Sequence, residues 1–128
     1  MSSPTGWSIP RGFRAAATRA GIKPSGGLDV AVLVADGPCA AAGTFTTNRV
    51  CAAPVKWDRA LLPSDRVRVV VINAGNANAA TGTWGEVNVE RTAAIAAETI
   101  GCTRYEVLVA STGVIGQQLP MDKLCAGL

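Results

Sequence analysis

Residues 66–75, RVRVVVINAG, constrain the fold more than any other stretch of the chain. The continuous β-branched character of this run is that of a strand covered on both faces, as in sheets flanked by helices. The run stops at its Asn and Gly residues, and a helical period follows. Val89, Ala93, Ala96 and Ile100 form an apolar stripe while Glu86, Glu90 and Glu98 face away. Thr83 and Glu86 have the spacing of a capping box, and Gly101 suits the helix terminus. Residues 105–110, YEVLVA, read as the next strand, and Pro120 suits the first turn of another helix through MDKLCAGL. Upstream, a strand over 30–35, a turn at Asp36-Gly37-Pro38 and a strand over 40–46 predict a hairpin. Strands and helices alternate after residue 66 and no repeat or linker divides the chain. This predicts one α/β unit over residues 1–128, flexible over 1–9. Residue 128 falls within a helical pattern, so the polypeptide is expected to continue.

Composition narrows the chemistry. With 48% hydrophobic but only 5% aromatic residues, the core must be built from small and β-branched side chains in closely spaced layers. A net charge of +3, scattered along the chain without interleaved aromatics, argues against nucleic acid as a partner. Cys39, Cys51, Cys102 and Cys125 show no CxxC spacing, and there is no histidine to complete a metal set, so no metal is expected. The cysteines read as small buried hydrophobes in a reducing compartment. No apolar run reaches the ~20 residues that span a bilayer, so a soluble, cytoplasmic protein without a membrane partner is expected. Arg11, Arg14, Arg19 and Lys23 precede any acid and invite a transit-segment reading, with mitochondrial placement as the alternative in a eukaryote. Glycines and prolines interrupt the amphipathic period, which favours an ordered lead-in loop.

A chain without histidine cannot build a Ser/His/Asp triad or a Cys/His dyad. GVIG is only a GxxG, and neither a GxGxxG nor a P-loop pattern occurs, so a nucleotide cofactor is not expected. Two polar clusters remain, each at a strand end, where α/β folds place ligand groups. NAGNANAATG contributes Asn76 and Asn78 as candidate substrate contacts, against the reading of an ordinary strand-to-helix connection. STGVIG sets Thr112 beside Gly113, a pairing that can aim donors at a developing oxyanion or form a plain Ser/Thr/Gly turn.

Four blocks in order, PRGFRAAATRAGIKPSGGLDVAVLVAD, GTFTTNRVCAAPV, INAGNANAATG and VASTGVIGQQLPMDKL, resemble the N-terminal part of the ornithine acetyltransferases of arginine biosynthesis, the bifunctional glutamate N-acetyltransferases. The resemblance implies a layered helix-sheet-sheet-helix sandwich of which only the N-terminal portion is present. It implies transfer of acetyl from N-acetylornithine to glutamate, with acetyl-CoA as co-substrate of a second activity and no resident cofactor. Members cleave themselves before a threonine in an Ala-Thr-Met-Leu-like stretch. That threonine, on a β chain, becomes the nucleophile with its own α-amine as base, and an α2β2 heterotetramer is implied. By the resemblance, Thr112 and Gly113 are the oxyanion-hole pair.

No Ala-Thr-Met-Leu stretch occurs in the 128 residues, so this chain is expected to be inactive alone and to leave an exposed sheet edge. Two other readings compete: a self-cleaving aminopeptidase or amidohydrolase in which water resolves the acyl-enzyme, and a non-catalytic assembly module using the Asn-rich loop.

Overall fold

The computed structural model describes residues 8–128. Four strands, β1 (Phe13–Thr18), β2 (Val30–Ala41), β3 (Ser64–Asn76) and β4 (Val107–Val114), form one mixed sheet in the order β1-β2-β3-β4. β2 pairs antiparallel with both β1 and β3, and β4 runs parallel to β3. Three helices, α1 (Ala53–Leu61), α2 (Gly82–Ile100) and α3 (Met121–Gly127), complete an α/β fold.

The helix α2 follows from its period: Val89, Ala93, Ala96 and Ala97 are buried and meet Val69 and Val71 of β3 and Val107 and Val109 of β4. Small residues on both sides let the layers approach closely, so many dispersion contacts replace large aromatic ones. Gly101 ends the helix at φ 80°, in the left-handed region that glycine enters without a Cβ penalty, and its N–H donates to the Ala97 carbonyl. A smaller cluster of Ile22, Val30, Leu119, Met121 and Leu124 seats α3.

Several expectations are corrected. The expected hairpin is one strand: β2 runs unbroken through Asp36, Gly37 and Pro38, and its ladder with β3 slips between Val34 and Cys39. β1 pairs with β2 only as far as Phe13 opposite Ala35, so Pro38 sits in a bulged stretch where its missing N–H costs no ladder bond to β1. The lead-in read as loop contains β1, whose Ala-rich FRAAAT is extended because β2 offers it an edge. α1 was not expected, although Pro54 in its first turn is a start signal. Thr83 and Glu86 form no capping box, because the helix begins at Gly82, two residues before that box would start it, and Thr83 lies inside the first turn. A capping box does close at Thr103 and Glu106, around a single 3-10 turn before β4.

β3 is covered on one face only. Val67, Val69 and Val71 are buried, but Ile72 is 40% exposed, and Leu33 and Phe13 on the same open side are 36% and 37% exposed. The four cysteines are free and half-buried rather than buried. Cys102 and Cys125 pack against the two clusters. Of the stretch expected to be flexible, residues 1–7 lie outside the described residues.

Candidate functional site

The carboxyl ends of the two parallel strands lie side by side, with Asn73 opposite Ser111, Ala74 opposite Thr112 and Gly75 opposite Gly113. Alternation along β4 sends Ser111 and Thr112 to opposite faces. Ser111 faces the helical layer, where its Oγ donates to Asn73 Oδ1 at 2.6 Å. Thr112 is exposed on the open face it shares with Leu108, and its hydroxyl makes no hydrogen bond among the described residues. Gly113 follows at φ 130°. A Cβ there would collide with the Gly75 carbonyl carbon and the Asn76 amide nitrogen, so glycine is required both by the dihedral and by the approach of the neighbouring backbone. Gly75 is itself at φ 105°, and a Cβ on it would come 3.1 Å from Ile22 Cγ2 and from the Lys23 amide nitrogen.

Beneath this crossing runs a buried amide network. Asn73 Nδ2 donates to the Asn76 carbonyl at 2.8 Å. Asn76 Nδ2 donates to the carbonyls of Gln117 (3.1 Å) and Gln118 (3.2 Å), and its Oδ1 accepts the Asn78 N–H at 2.8 Å. Asn78 Nδ2 donates to the Gly85 carbonyl (3.0 Å), and its Oδ1 accepts the Thr81 hydroxyl (2.8 Å). Asn76 is 4% exposed and Asn78 0%, so both candidate substrate contacts have their amides committed inside the protein. The loop holds Asn78 and Ala80 at positive φ, 46° and 54°, a strained backbone that the surrounding bonds keep in place. Further main-chain bonds, Ala77 N–H to Val114 and Gly116 N–H to Ala79, bind the STGVIG turn to the Asn-rich loop. The two clusters are therefore one structure. Thr112 and Gly113 face outward, and Asn76 and Asn78 hold the ground beneath them.

Two features escaped the sequence reading. Asp29, 3% exposed, accepts three main-chain amides and anchors the loop that touches Gly75. The Lys23 amide leads in holding its carboxyl below the ordinary carboxylate range, against the opposing cost of burial. Its only sequence signal is an acid placed immediately before an apolar strand, in GGLDVAVLV. Asp58 on α1 accepts the Val109 N–H at 2.9 Å, and burial pushes its carboxyl up to about 6, with that bond opposing. No group of three or more His, Cys, Asp or Glu residues that could hold a metal occurs among the described residues. Nor is any described helix long and apolar enough to cross a membrane.

Residues 14–128 match the ArgJ family. The arginine biosynthesis bifunctional protein ArgJ of Thermus thermophilus is 53% identical over 121 residues, covering 94% of this chain and 32% of that protein. The protein of the same name from Rhodopirellula baltica is 48% identical over 120 residues, covering 94% and 29%. The chain thus spans 29% to 32% of the length of these curated relatives. Ornithine acetyltransferase from Mycobacterium tuberculosis, solved in complex with ornithine, superposes with a TM-score of 0.89 at 49% identity, covering 92% of this chain and 64% of that one. The ArgJ structure from Bacillus halodurans superposes at 0.86 and 34% identity, covering 91% and 61%.

Proposed function

The chain belongs to the ArgJ family, and from that membership we propose that it is one part of an acetyltransferase of arginine biosynthesis. That enzyme moves acetyl from N-acetylornithine to glutamate through an acetyl-threonine, and this chain contributes the oxyanion hole at Thr112 and Gly113. The observation that carries the assignment is the end of β4. There an exposed hydroxyl with no hydrogen-bond partner among the described residues adjoins a glycine whose dihedral and close backbone approach exclude a Cβ, over a buried amide network.

In the forward half-reaction a threonine Oγ attacks the acetyl carbonyl and its own α-amine takes the hydroxyl proton. Charge collects on the carbonyl oxygen, and preorganised donors at residues 112 and 113 stabilise it more than they stabilise the planar carbonyl. Collapse breaks the bond to ornithine nitrogen, which leaves with the proton. Glutamate's neutral α-amine then attacks the acetyl-threonine through a second oxyanion at the same donors; collapse breaks the ester bond to threonine Oγ, and the proton lost by the glutamate nitrogen passes by way of the threonine α-amine to that Oγ, restoring the hydroxyl. Acetyl-CoA replaces N-acetylornithine as acyl donor in the second activity, and no resident cofactor is needed. The nucleophile belongs to a β chain within an α2β2 assembly, in the cytoplasm. By this reading Asn76 and Asn78 support the site, and substrate is bound elsewhere in the assembly.

The test is made in the complete, processed enzyme. Thr112→Ala removes the hydroxyl, and an ester in place of the Gly113 amide removes the N–H without adding a Cβ. Loss of a working donor should lower kcat by about 10²–10³ with a smaller change in KM. Wild-type kcat in both variants, with normal subunit cleavage on gels, would make STGVIG a turn and nothing more.

A further inference from the structure

Asp29 immediately precedes β2 and is engaged on every polar group. Its Oδ1 accepts the Ala20 N–H at 2.6 Å, and its Oδ2 accepts the N–H groups of Ile22 (2.6 Å) and Lys23 (3.0 Å). Its own N–H donates to the Thr18 carbonyl at 3.0 Å, and its carbonyl accepts the Ala74 N–H at 2.8 Å. One buried residue therefore ties the end of β1, the loop at 20–23 and the end of β3 together. The loop is tied again by Lys123, whose Nζ donates to the Gly21 carbonyl at 2.8 Å, while the Lys23 ammonium turns to the Leu28 carbonyl at 3.1 Å. Neither cation pairs with Asp29; among the described residues its charge is met by amides alone.

What the loop touches gives this arrangement its interest. Ile22 and Lys23 lie against Gly75, and Gly75 lies against Gly113. Both glycines have positive φ, so neither strand end would keep this crossing through β-ladder geometry alone. We propose that Asp29 is a positioning residue for the oxyanion donors: by gathering the amides of the 20–23 loop it presses Ile22 and Lys23 onto Gly75, and so fixes the height and tilt of Thr112 and Gly113. The proposal rests on the oxyanion reading above. A carboxylate is required because three N–H donors converge, and only an acceptor-only group with two oxygens takes all three. In Asp29→Asn one of those oxygens becomes an NH2 facing an N–H. The loop then lifts by a fraction of an ångström, enough to misplace a donor whose value depends on its position.

The experiment compares Asp29→Asn, Thr112→Ala and the double variant in the complete enzyme, reading kcat, KM, melting temperature and subunit cleavage. Asp29→Asn should mature, lose about 10-fold in kcat and keep KM within about threefold, and combined with Thr112→Ala it should cost less than the product of the single effects. A lowered melting temperature with unchanged kcat, or fully multiplicative effects, overturns the positioning role. The oxyanion reading survives either outcome if Thr112→Ala alone keeps its loss. If neither Thr112→Ala nor the ester at residue 113 affects kcat, the oxyanion reading itself fails, and the role of Asp29 falls with it. Should Asp29→Asn not mature, Ile22→Ala replaces it. This removes the Ile22 side-chain contact to Gly75 while leaving the Asp29 bonds and the main-chain contacts of Ile22 and Lys23 in place, and wild-type kcat in that variant overturns the proposal that the loop acts by pressing on Gly75.

Discussion

Asp58 is the residue whose titration most directly reports on the fold. Its carboxyl is pushed from an ordinary value of 3.8 up to about 6, chiefly by burial, so the ionised form is favoured in the unfolded chain. The fold therefore loses stability as pH rises from about 4 through 6, the reverse of the usual behaviour of a paired carboxylate. Asp58→Asn keeps an oxygen to accept the Val109 N–H and carries no charge. Above pH 6.5 it should melt roughly 2–5 °C higher than the parent, a figure already reduced for solvent screening of a half-buried group, and the gain should vanish below pH 4. Equal melting temperatures across that range would mean the carboxylate is better solvated than its burial implies. Asn78 behaves differently. Asn78→Ala leaves the Gly85 carbonyl and the Thr81 hydroxyl without their partners and puts alanine at φ 46°, so a loss of about 2–4 kcal/mol is expected. Denaturant melts measure it. On the proposed function, the same change in the complete enzyme should impair folding and cleavage more than it alters the choice of acceptor.

Among the elements, α1 does the least expected work. β4 is an edge strand, and nine-residue α1 lies along that edge. The Trp57 Nε1–H donates to the Val107 carbonyl at 2.9 Å, and Asp58 takes the Val109 amide. Two side chains thus occupy ladder positions that another strand would otherwise claim, protecting an edge at risk of aberrant pairing. The Ala53 N–H also donates to the Asn78 carbonyl, joining α1 to the loop under the site. Trp57→Phe preserves the ring against the core and its stack near Tyr105, but deletes the bond to Val107. A loss of about 1–2 kcal/mol is expected, together with faster hydrogen exchange at the Val109 amide. If exchange at Val109 were unchanged, α1 would be packed beside the edge without guarding it. β1, at the other edge, has no such cover among the described residues and is exposed from Phe13 to Ala17.

The molecule as a whole presents one finished face and one open face. Helices cover Val69, Val71, Val107 and Val109, while Phe13, Leu33, Ile72 and Leu108 line the other side of the sheet. An open apolar sheet face next to Thr112 fits a second sheet packing there at about 10 Å, which would also bring other groups to the site. The 128-residue chain alone should therefore bind an apolar dye such as ANS, self-associate and melt at low temperature, and, on the proposed function, the remainder of the enzyme should suppress all three. A monomeric, dye-silent chain with a cooperative melt at high temperature would contradict this picture.

β3, α2, β4 and the Gly101 terminus were legible in the residues, because each rests on interactions within a few positions: a continuous β-branched or apolar run, a 3.6-residue period, a glycine at the end. The pairing of β2 with two neighbours, the recruitment of β1 and the docking of α1 on an edge were not legible. Their hydrogen bonds join residues up to 51 positions apart, as between Asp58 and Val109, and local preference does not encode such distances. The site divides the same way. A hydroxyl beside a glycine at a strand end, and an Asn-rich loop nearby, could be read directly. That Gly113 rests on Gly75, and that Asp29 lies behind the loop that meets Gly75, follows only when three strand ends converge. Side-chain volume and main-chain amides then select for a missing Cβ and a buried carboxylate, and neither requirement leaves a pattern along a single segment.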